Sequence, residues 1–100
     1  MIIIRVLLLV IFLSNITQIA NAKPKCPDIK AIQASDKLSE KLTGGKVFKE
    51  GEVLKVNLPS YTKEVASYIY VKSDGLYYSI FTLVNTKCVA RFIKRTNGKY

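Results

Sequence analysis

A chain of 100 residues with 16 Lys and Arg against 7 Asp and Glu has room for one small domain and carries a formal charge of +9. It contains no histidine, which removes the usual general base, the commonest metal ligand and every Ser-His-Asp or Cys-His arrangement. Its two cysteines lack C-x-x-C spacing and no phosphate-cradling glycine motif occurs, so neither a metal nor a cofactor is expected.

The start reads as an export signal. Arg5 supplies a positive charge, Val6 to Leu13 is an unbroken apolar run, and Ala20-Asn21-Ala22 places small residues at a cleavage point. The run is too short for a membrane span, so residues 1–22 are expected to be a removable leader, leaving no span in the mature domain. Cleavage after Ala22 leaves residues 23–100, which lose only Arg5 among the basic residues and keep a charge of +8. In an exported chain Cys26 and Cys88 are expected to form one disulfide.

Next, residues 27–42 predict a helix. Pro27 suits its first position, Asp28 its positive end, and Ala31, Ser35, Leu38 and Leu42 form an inward stripe before Gly44-Gly45 stops it. Ile29 falls off that stripe, so a strand over residues 29–33 with a helix starting at Asp36 is the rival reading. Beyond Gly45 the period becomes two. Lys46 to Lys49 and Val53 to Leu58 read as strands around a turn at Glu50-Gly51, with Leu54, Val56 and Leu58 on one face. Pro59 ends the second strand, and Ser60 to Glu64 reads as a loop.

Asp74-Gly75 between two β-rich runs predicts a two-residue hairpin, with Val71 opposite Tyr78 and Ile69 opposite Ile80. Ile69, Val71, Ile80, Thr82 and Val84 would share the face that meets the helix. Tyr68, Tyr70, Tyr77 and Phe81 would share the other. A turn at residues 85–87, a last strand from Cys88 to Arg95 and a frayed tail complete an α+β domain, one helix on an antiparallel sheet of about four or five strands.

Two features could engage a partner. Arg91, Lys94 and Arg95 crowd a C-terminal stretch without acids, and an ideal strand would put Arg91 and Arg95 on one side and Lys94 on the other. Such lysines and arginines also serve simply to protect an edge strand. The rings of Tyr68, Tyr70, Tyr77 and Phe81 form either a contact surface or a second small core under a covering loop. The expected partner is an acidic protein surface or an anionic envelope polymer. Export argues against nucleic acid, and the oligomeric state is not legible. Function follows as a small basic secreted or periplasmic binding protein, an inhibitor or an effector, and not an enzyme. The alternatives are a small hydrolase using Glu50 and Glu52, which a turn at Gly51 would bring together, or a structural envelope component.

The stretch Cys26-Pro27-Asp28-Ile29-Lys30-Ala31-Ile32-Gln33 resembles the C-P-x-I-x-A-I-Q opening of small exported proteins from Legionella-like gammaproteobacteria, a group without assigned function. The resemblance implies a bacterial source and export to the periplasm or beyond, and no active-site residues.

Overall fold

The computed structural model describes residues 25–100; the expected leader lies outside the described residues. Helix α1 runs Asp28–Thr43, so the rival strand at residues 29–33 does not form. Pro27 stays extended and its carbonyl accepts the Ala31 N–H at 2.9 Å. Asp28 complements the positive helix end and pairs with Lys63, whose ammonium also donates to the Cys26 carbonyl at 2.8 Å. Gly44, left-handed at φ 73°, closes the helix by returning its N–H to the Glu40 carbonyl.

Four antiparallel strands follow in the sheet order β1-β2-β3-β4: β1 Lys46–Asn57, β2 Thr62–Val71, β3 Leu76–Val84 and β4 Ala90–Arg95. The expected turn at Glu50-Gly51 is absent. β1 is one strand, and shifts of register at Val47/Lys49, Lys49/Glu52 and Val53/Lys55 absorb its irregular pattern. Gly51 is small for another reason: a Cβ there would lie 2.8 Å from the Ala66 carbonyl oxygen and 3.1 Å from Ile32 Cγ2. The shifts also undo the expected single face, for Val53 packs inward while Leu54, Val56 and Leu58 are exposed. Thr62 to Glu64, expected in a loop, begin β2, because the turn over residues 58–61 closes with the Tyr61 N–H on the Asn57 carbonyl at 2.7 Å.

The β2–β3 hairpin has four linking residues rather than two. Val71 pairs with Leu76 and Ile69 with Tyr78, so the expected register is displaced by two positions. Asp74 accounts for this: its carboxylate accepts the Leu76 N–H at 2.8 Å and the Tyr78 hydroxyl at 2.5 Å, while Gly75 at φ 71° returns its N–H to the Val71 carbonyl. An even displacement leaves every side chain on its expected face. β4 starts at Ala90 rather than Cys88, since Asn85 Oδ1 accepts the N–H groups of Lys87 and Val89 and holds that corner out of the ladder. The tail is paired, not frayed: Tyr77 and Lys99 exchange both backbone hydrogen bonds, at 2.6 and 3.0 Å.

The aliphatic hairpin face meets α1, as expected, but the helix presents Ala31, Ser35 and Ser39. Leu42 is 55% exposed and is not part of the core. Small residues bring helix and sheet close. Between them lies one apolar cluster around Cys26, Ala31, Val65 and Val84 and another around Ile69, Val71, Tyr78 and Ile80. A buried polar relay lies along the same interface: Thr82 donates to Ser35 at 2.8 Å, Ser35 and Ser67 share a 2.7 Å bond, and Ser67 donates to Asp36 at 2.6 Å. Because Ser67 spends its proton on the carboxylate, Ser35 is the donor to Ser67 and the relay has one direction. Burial, partly opposed by the Ser67 bond, raises the Asp36 pKa above 3.8. The Cys26–Cys88 disulfide, with Cα atoms 5.2 Å apart, ties the start of α1 to the corner before β4.

Three measurements test this account. Replacing both cysteines by alanine opens a loop spanning 62 positions and should lower the unfolding free energy in urea by about 4 kcal/mol. Ser39 Oγ is buried without a partner among the described residues, so Ser39→Ala should raise stability by about 1 kcal/mol. A raised acid pKa means that the Asp36 contribution is fully present below 3.8 and is lost as pH rises through the folded-state value. Asp36→Asn, an uncharged stand-in, should therefore gain most over the parent at neutral pH, with the gap closing as pH falls toward 3.8; a gap that widens in acid contradicts the assignment.

Candidate functional site

Strand alternation sends Tyr68 and Tyr70 of β2, with Tyr77, Ser79 and Phe81 of β3, to the side away from α1. Among the described residues no second layer of helix or strand covers that side, and Thr96 and Lys99 of the tail lie beside Phe48, Tyr77 and Ser79 at one end of it. Tyr68, Tyr70 and Phe81 are half-buried and Tyr77 is 40% exposed. Tyr77 holds the rings of Phe48 and Tyr70 at centroid distances of 4.8 Å each, edge-on to the first and tilted to the second. Tyr68 donates its hydroxyl to Glu52 at 2.5 Å, a bond that raises the tyrosine pKa, and carries the Lys49 ammonium 4.7 Å above its ring.

The basic strand joins this face differently from the expectation. Arg91 pairs with Leu83 and Lys94 with Phe81, while Arg95 pairs with Ile80 on the helix side. An irregularity between the Phe81 and Thr82 pairings inserts one residue, so Arg91 shares its face with Lys94 and not with Arg95. Lys94 sits 5.4 Å from the Phe81 ring centroid. Of the sequence-predicted candidates, Tyr68, Tyr70, Tyr77, Phe81, Arg91 and Lys94 come together, and Arg95 stands apart.

Sequence reasoning missed the opposite edge. Lys46 pairs with Tyr70, Lys49 with Tyr68 and Lys55 with Glu64, so all three share the aromatic face. That face carries six cations, at residues 46, 49, 55, 91, 94 and 99, against the two acids Glu52 and Glu64. Phe48 was equally hidden, because its ring reaches Tyr77 only through the register shift beside it. Glu50 and Glu52 lie along one bulged strand in open surroundings rather than across a turn.

On the helix side the sheet is incompletely covered. The disulfide anchors the start of α1 beside β4, and Gly44-Gly45 ties its end to β1, the opposite outer strand. The helix must cross the sheet diagonally, leaving the far corner of β3 and β4 open. A groove of about 540 Å³ lies there, floored by Leu42, Val71, Ile80 and Phe92, with Asp74, Tyr78 and Arg95 at its rim. The Arg95 guanidinium lies 5.2 Å from the Tyr78 ring centroid. The Tyr78 hydroxyl bond, aided by the Leu76 N–H and by Arg95, lowers the Asp74 pKa, and the same bond raises that of Tyr78.

Among the described residues no group of three or more His, Cys, Asp and Glu side chains could hold a metal ion, and no helix is long and apolar enough to cross a membrane. No protein-family model, no curated protein and no solved structure matches the chain.

Proposed function

We propose that this is an exported binding protein that takes an anionic envelope polysaccharide on its aromatic sheet face. One observation carries the reading: aromatic rings and cations interleave on a single face, with lysines along β1 and Arg91 and Lys94 along β4. The outer strands of a four-stranded sheet lie about 14 Å apart. A polymer crossing the strands meets cations at both margins and ring faces between them. Tyrosine rings offer apolar area with a polar tip, which suits a sugar's mixed surface. The disulfide supports a life outside the reducing cytosol, and the resemblance of the opening residues to bacterial exported proteins points the same way. Binding rather than catalysis fits a chain without histidine whose two neighbouring glutamates lie open on a strand.

Polygalacturonate is the probe and neutral dextran its control. Retention on the acidic polymer should weaken as salt rises, because the cations are exposed. Arg91→Gln with Lys94→Gln should lower affinity about tenfold, ~1.4 kcal/mol. Tyr70→Ser with Tyr77→Ser should lower it comparably while the melting transition stays nearly in place. Equal binding to dextran, or undiminished binding by both double variants, overturns the reading; retention only on an immobilised acidic protein reassigns the face to a protein partner.

A further inference from the structure

We infer that the groove at the far end of α1 is a second, separate binding site, one for a small apolar carboxylate. Its volume of about 540 Å³ falls within the range of ligand-sized clefts, about 300–1,000 Å³. The floor is aliphatic and aromatic, and two of its members stay accessible, Leu42 at 55% and Phe92 at 49% exposure. An apolar body laid there removes both from water.

The head group is set by Arg95. Its guanidinium lies beside the Tyr78 ring, which helps to fix its place at the rim. The one ion pair among the described residues is Lys63–Asp28, so Arg95 has no carboxylate within 4 Å. Asp74 is the nearest competitor; its oxygens accept the Leu76 N–H and the Tyr78 hydroxyl, and Arg95 acts on it through charge without an ion-pair contact. Even with one N–H turned to the Tyr78 hydroxyl, the guanidinium has donors left for a carboxylate in two-point contact. The end of α1 and Asp74 make other parts of the rim rich in acceptors, so an anionic head has one favourable place, at Arg95. A ligand with an apolar chain and a single terminal carboxylate meets both demands. The site lies on the face opposite the tyrosines and does not depend on the polysaccharide reading.

The test uses the disulfide-bonded protein and three probes with the same chain: decanoate, decanol and decyltrimethylammonium. Decanoate should shift the NMR methyl signals of Leu42, Val71 and Ile80 saturably, below its micelle concentration. Decanol should bind about tenfold more weakly and the cation more weakly still. Arg95→Gln should cut decanoate affinity about tenfold and leave decanol unchanged, whereas Lys94→Gln, on the other face, should change neither. Leu42→Trp, at an exposed floor position, should fill the groove and abolish the shifts with the melting transition retained. No shifts, shifts shared with the tyrosine face, equal response to the cation, or indifference to Arg95→Gln would each overturn the proposal.

Discussion

The relay from Thr82 through Ser35 and Ser67 to Asp36 sets how closely helix and sheet meet. Each hydroxyl is buried, so each must find a partner or cost about 1–3 kcal/mol. Together they satisfy one another only at one height and one rotation of α1. Larger apolar side chains could have filled the same space in several ways; short hydroxyls with fixed bond lengths do not permit sliding. The close approach then forces glycine at position 51, where β1 passes beneath Ile32 and Asp36 with no room for a Cβ.

Two covalent constraints decide where that closely held helix lies. One is the disulfide at its start, the other the two-glycine connection at its end. They sit over opposite margins of the sheet, and a helix of 16 residues, about 24 Å, spans the diagonal between them. Both candidate binding regions are what this placement leaves over. The far face has no partner layer among the described residues, and the corner between β3 and β4 lies beyond the helix. The two differ in chemistry as well as position, since one is broad and cationic and the other narrow with a single guanidinium, that of Arg95.

Local signals made much of this legible. The proline, the periodic stripe and the glycine pair located α1 within a residue at each end. The alternation of Ile69, Val71, Ile80 and Thr82 identified the face that meets the helix, and it survived a hairpin two residues longer than expected because an even slip preserves sidedness. What stayed hidden depended on non-local geometry. Three irregularities in β1 and one opposite β4 decide which side Phe48, Lys49, Lys94 and Arg95 occupy, and no composition signal announces a bulge. Leu42 stood on the predicted inward stripe and Ser39 did not, yet Ser39 is buried and Leu42 is exposed, because the helix crosses the sheet diagonally. Asp74 read as an ordinary turn residue, yet its carboxylate organises the hairpin by holding the Leu76 N–H and the Tyr78 hydroxyl.

The distribution of those irregularities has a consequence for association between copies. The β2–β3 ladder runs through nine consecutive pairs without a break, while every interruption lies where an outermost strand joins its neighbour. A margin that twists and skips a position offers an incoming chain no continuous row of free amides and carbonyls to match. Edge-to-edge pairing of two copies is thereby disfavoured, although exposed apolar residues such as Leu54, Val56 and Ile93 lie along both outer strands.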